Sequence, residues 1–196
     1  MITGYGPVEP VHRELMWSAL TWPATEHLDL RSDSGGVIAD SVVVALDGRP
    51  TRLAYQIACD SGWWTRRLSI RLHGEPDVVL ERRAGDRWYD AAGTERADLI
   101  GCVDVDIALT PFTNTLPIRR LGLAVGESAD LRMVYVQAEH GLRISAAEQR
   151  YTRLGPDTFR YRAGDFTADL TVDADGFVTD YPGLWRRLHQ PDTADT

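Results

Sequence analysis

The sequence predicts a mainly β fold: a β-rich α+β chain whose antiparallel strands wind as one curved sheet into a roll or half-barrel, with little helix. Three observations lead there. Short runs alternate apolar and polar residues along most of the chain, the period-two pattern of strands with one buried face. Turn signals such as Asp47-Gly48, Ala84-Gly85 and Asp173-Ala174-Asp175-Gly176 separate these runs at short intervals. Windows of helical period are few, and no long linker divides the chain. With 196 residues, 43% of them hydrophobic, the chain can bury one large core, or two small halves sharing one.

Taken in order, residues 1–12 carry Gly and Pro at close spacing and read as a flexible lead. A single β-rich domain follows over residues 13–189, and residues 190–196 read as a flexible tail. Residues 14–20 suit a short helix or a strand, and residues 26–31 alternate as a strand. Ser32 to Gly36 turns the chain into a Val-rich strand over residues 37–46, which closes at Asp47-Gly48-Arg49-Pro50. Residues 51–60 return, Ser61-Gly62 turns, and a strand over residues 63–72 puts Leu68, Ile70 and Leu72 inward. Residues 78–83 and 86–90 form a further hairpin.

Residues 101–121 form the middle of the chain, with two carboxylates, two prolines, an Asn between threonines and an Arg pair. Val103, Val105, Ile107 and Leu109 alternate with Asp104, Asp106 and Ala108, as on a strand with one buried face, so both carboxylates share the other face. Pro111 ends the strand, and Asn114 or Thr115 can cap a short helical turn with Pro117 early and Arg119-Arg120 late. Strands then follow over residues 131–137, 142–154, 158–163 and 166–172, and a tight turn leads into Phe177-Val178. Tyr55 and Asp60 before one aromatic-led strand echo Tyr161 and Asp165 before Phe166, which fits two related halves or chance equally.

Residues 101–121, together with Tyr55-Gln56-Ile57-Ala58-Cys59-Asp60, Trp63-Trp64-Thr65-Arg66 and Asp180-Tyr181-Pro182-Gly183-Leu184-Trp185, resemble a bacterial family that bears the name Putative glycolipid-binding. The resemblance spans roughly residues 17–188. It implies a lipoprotein-carrier-like fold, a spiral β-roll curled around an internal cavity, and a small amphipathic ligand of glycolipid type.

Composition removes several other functions. A net charge of −8 argues against a nucleic-acid partner, which calls for a basic face. All 21 basic residues are Arg, so Schiff-base chemistry and a P-loop lysine are excluded. The N-terminus has neither a basic start nor an apolar h-region, and no run approaches the ~18 apolar residues of a membrane span. The expected location is therefore the cytoplasm, without stable membrane insertion. Cys59 and Cys102 lack metal or redox spacing and read as reduced, buried small residues. The histidines at 12, 27, 73, 140 and 189 are scattered, so neither a metal nor any other cofactor is expected. Oligomeric state is not readable from the sequence.

The candidate ligand-binding residues are Asp60, Trp63, Arg66, Asp104, Asp106, Asn114, Arg119 and Trp185. Asp104 and Asp106 lie about 6.6 Å apart by strand rise, and carboxylates that close call for a cation or hydroxyl donors. Arg pairing between strands, sugar hydroxyls and a metal ion all qualify. The spacing also fits an inverting glycosidase pair, whose carboxyl groups stand about 6.5–9.5 Å apart. Of the adjacent Trp63 and Trp64, entering a strand, one faces the core and the other offers a flat apolar face. Among four Arg pairs, Arg66 and Arg119 lie inside the family-like motifs, and an Arg turned inward must meet a carboxylate, phosphate or sulfate. Asn114 is a helix cap or a sugar contact, and Asp60 can hydrogen-bond hydroxyls beside the Trp pair. Trp185, like Tyr55 and Tyr181, carries a polar handle on a core-type ring. The reading that results is non-enzymatic binding of an amphipathic ligand, with acyl chains against apolar side chains and the head group held by Arg, Asp and Asn. Alternatives are a hydrolase using Asp104 and Asp106 as acid–base pair, and a structural or interaction protein.

Overall fold

The computed structural model describes residues 11–139 and 141–188. Residues 1–10 of the expected lead over residues 1–12, the tail over residues 190–196, and His140 and His189 lie outside the described residues. The described chain forms one sheet of 14 strands. The first meander comprises β1 (Val11–Ala19), β2 (Ala24–Asp33), β3 (Gly36–Asp47), β4 (Arg49–Cys59), β5 (Thr65–Leu72), β6 (Val78–Arg83) and β7 (Arg87–Asp90), each antiparallel to the next. The second comprises β9 (Ser128–Gln137), β10 (Arg143–Arg153), β11 (Thr158–Ala163), β12 (Phe166–Val172), β13 (Val178–Tyr181) and β14 (Trp185–Leu188). The meanders join where β1 pairs antiparallel with β14, from Met16 opposite Leu188 to Ala19 opposite Trp185. Between them β8 (Asp104–Ile107) adds to the far edge parallel to β9.

Alternation explains which face each strand buries. On β4, Leu53, Tyr55, Ile57 and Cys59 are buried, and on β2 Ala24, Glu26, Leu28 and Leu30 are. Of residues 14–20, open between helix and strand in the sequence, all but Leu20 belong to β1, which begins at Val11, inside the expected lead.

Strand β5 starts at Thr65, two residues later than the pattern implies. Asp60 is the reason. Its Oδ1 accepts the backbone N–H groups of Gly62 and Trp64, each at 3.0 Å, and Trp63 takes a left-handed φ of +64°. Trp63 and Trp64 therefore sit in a turn. Trp63 is buried and Trp64 is 39% exposed.

The chain after β8 folds back onto the inner face of the curl. A 3-10 turn over Phe112–Asn114 leads into helix α1 (Thr115–Leu121), where Pro117 lies in the first turn and Gly122 ends the helix at φ +55°. Phe112 stacks on Tyr55 with ring centroids 6.5 Å apart, and Leu116 and Ile118 are buried. This insert occupies the inner face where the resemblance implies a cavity.

Strand β8 consequently has two buried faces. Asp104 and Asp106 are buried along with Val105 and Ile107, which the one-sided alternation does not anticipate. Side chains from α1, the 3-10 turn and β5 cover the carboxylate face. Cys59 and Cys102 are buried free thiols; burial pushes both up, Cys102 to about 11.

Candidate functional site

Three carboxyl groups lie in the interior, and their partners separate their roles. Asp104 is fully buried. Its Oδ2 accepts Arg120 Nη2 and Nε at 2.7 and 2.9 Å, and its Oδ1 accepts the Thr65 hydroxyl at 3.2 Å. The Arg120 guanidinium in turn lies 4.5 Å from the Trp64 ring centroid. This knot ties the end of α1 to β8 and β5; burial raises the Asp104 carboxyl, and Arg120 opposes the rise.

Asp106 has only uncharged donors. Thr113 Oγ1 donates to Oδ1 at 3.1 Å, while Gln149 Nε2 and Tyr161 Oη donate to Oδ2 at 2.6 and 3.2 Å. Thr113 also accepts the Ile107 N–H, which fixes its rotamer. Burial pushes the Asp106 carboxyl up, against these three hydrogen bonds. Glu26 is held similarly by hydroxyls: Oε1 accepts Ser41 at 2.7 Å and Tyr55 at 2.5 Å, and Thr110 donates at 2.6–2.7 Å. Burial brings its carboxyl up to about 7.

Asp106 and Thr110 both line a cleft of about 380 Å³ beside the insert. Its polar floor includes Asn114 and Gln149. Its walls are the rings of Tyr161, Phe166, Tyr181 and Trp185, with Phe166 6.0 Å from Tyr161 and 6.3 Å from Tyr181 between centroids. Trp22 backs Trp185 edge-on at 5.4 Å. Gln149 is 3% exposed; its Nε2 is committed to Asp106, and its Oε1 has no hydrogen-bond partner within the protein. Such an acceptor calls for a donor from outside the protein. Asn114 stands at the N-cap position of α1 without a capping bond: its Oδ1 accepts Tyr151 Oη at 2.8 Å and its Nδ2 donates to the Pro111 carbonyl at 3.3 Å. Among the described residues, no three His, Cys, Asp or Glu side chains stand close enough to hold a metal ion. No helix among them is long and apolar enough to cross a membrane.

The fold is shared with a known structure. The family named Putative glycolipid-binding has a model that matches residues 14–187. The chain belongs to this family. It is also similar to the crystal structure of a DUF1089 family protein from Pseudomonas aeruginosa, with 33% identity, 95% of this chain and 97% of that chain covered, and a TM-score of 0.75. No curated protein matches it.

In this member of the family, three of the eight residues singled out by sequence, Asp106, Asn114 and Trp185, line the cleft. The other five do not. Asp60 pairs with Arg66 at the β4–β5 turn. Asp104 is sealed against Arg120. Arg119 lies 4.3 Å from the Trp63 ring and 5.9 Å from Phe177, and donates to the Asp175 carbonyl. Conversely, Gln149, Tyr161, Phe166 and Glu139 line the cleft without having been singled out. A signal for Gln149 existed: it shares the Tyr151 face of β10, between outward Glu148 and Arg150.

Proposed function

We propose that this protein binds the head group of a glycolipid, or a similar amphipathic molecule, in the cleft between Asp106 and the aromatic walls. The observation that carries the reading is the grouping of the polar Asp106, Asn114 and Gln149 in one cleft with aromatic rings that suit the C–H face of a sugar. The volume of about 380 Å³ sits at the lower end of the roughly 300–1,000 Å³ of ligand pockets, so a head group fits and long acyl chains extend outward. Phe166, 44% exposed, and Leu184 offer the apolar rim on which those chains begin. The alternative of hydrolysis by an Asp104/Asp106 pair draws no support, because Asp104 is held by Arg120 and does not line the cleft.

Calorimetric titration with monomeric octyl β-galactoside tests the reading. Saturable binding is expected, with affinity about tenfold lower in Gln149→Leu and in Asp106→Asn, each change removing a hydrogen-bond partner of the head group. Absence of binding, or equal affinity in all three proteins, overturns it.

A further inference from the structure

Resting on that reading, we propose that the cleft selects an uncharged sugar ring and rejects head groups carrying phosphate, sulfate or carboxylate. The charges around the cleft carry this. Asp106 on its floor and Glu139 at its exposed rim are both acidic, and among the described residues lining the cleft none is Arg or His. The two arginines that a sequence reading assigns to an anionic group are engaged elsewhere, Arg66 with Asp60 and Arg119 against Trp63. An anion entering here would meet a carboxylate shielded only by uncharged donors, in a site where water does little to screen it.

The hydrogen-bond inventory points the same way. Asp106 already receives Thr113, Gln149 and Tyr161, and Gln149 Oε1 is an acceptor without a donor. Tyr161 spends its proton on Asp106 and can offer a ligand only its lone pairs. The cleft floor therefore presents acceptors. A ligand that complements acceptors must bring O–H groups, as a pyranose does on several carbons. A phosphate diester or sulfate ester group brings only acceptor oxygens, so wherever it takes the place of a hydroxyl a donor is lost and a negative charge confronts Asp106.

The matched test compares monomeric octyl β-galactoside with its 3-O-sulfated counterpart by calorimetry at high ionic strength, which screens the general repulsion of a chain with net charge −8. The neutral compound is expected to bind about tenfold or more tightly than the sulfated one. The gap, read as the ratio of the two affinities within each protein, should narrow severalfold in Glu139→Gln, which removes a rim charge. Equal or tighter binding of the sulfated compound by the wild-type protein overturns the charge selection while leaving head-group binding standing. A gap that neither Glu139→Gln nor Asp106→Asn changes also overturns it, since the discrimination would then lie elsewhere. Failure of both compounds to bind overturns the binding reading itself, and this inference with it.

Discussion

Replacing Glu26 with Gln should make the protein less sensitive to pH between about 5 and 8. In the folded chain burial lifts the Glu26 carboxyl from 4.5 to about 7, despite the hydroxyls of Ser41, Tyr55 and Thr110 that favour ionisation. Below about pH 4.5 the group is protonated in both folded and unfolded chains, and its contribution to stability is fully present. As pH rises, the unfolded chain releases the proton first, and each pH unit removes about 1.4 kcal/mol from the folding free energy until the folded carboxyl ionises near 7. A rise of about 2.5 units corresponds to about 3 kcal/mol. Glu26→Gln keeps the side-chain shape and has no proton to release. Its amide can be accommodated because Ser41 Oγ has a second acceptor, the His27 carbonyl at 3.0 Å. Asp104 and Asp106, also raised by burial, slope in the same sense but equally in both proteins, so they cancel in the difference. Urea denaturation of the two proteins across this range should show the wild type losing about 3 kcal/mol relative to the variant. Parallel stability profiles would refute the reasoning, since Glu26 would then titrate as an exposed carboxyl does.

Two further outcomes follow from the interior. Arg120→Met leaves the Asp104 carboxylate buried without its cation and should cost about 3–5 kcal/mol in chemical denaturation at neutral pH. The loss should shrink as pH falls, because burial raises the Asp104 carboxyl and favours its protonated form; a loss independent of pH would contradict a charge-based cause. Cys59 and Cys102, buried and held above the ordinary thiol range, should resist a thiol-specific disulfide reagent at about pH 8 in native protein and react fully in denaturant. Rapid native labelling would contradict the packing around them.

Much of the fold is legible because the strands obey period-two alternation. The hairpin at Asp47-Gly48 and the inward set Leu68, Ile70 and Leu72 follow from it directly. What escapes it arises from contacts distant in sequence. Trp63 leaves the strand pattern because Asp60 captures two backbone N–H groups, a local hydrogen-bond choice that hydrophobic periodicity does not register. Asp104 and Asp106 are buried because α1 folds back over β8, which depends on tertiary packing rather than on the composition of β8 itself. Glu26 carries a signal of its own, since it shares the inward phase of Leu28 and Leu30, and a carboxyl in that phase must find donors inside. The cleft was reached in part for a related reason: Asp106, Asn114 and Trp185 lie in family-like motifs, whereas Gln149 and Tyr161 come from β10 and β11 and meet Asp106 only in the folded sheet.

Native mass spectrometry of the purified protein, incubated with mixed neutral glycolipids, bears most directly on the cleft as a head-group site. A one-to-one adduct of glycolipid mass, present in the wild type and weakened in Gln149→Leu, is the predicted result. An adduct-free mass for the wild type under the same conditions, or an adduct indifferent to Gln149→Leu, would contradict it.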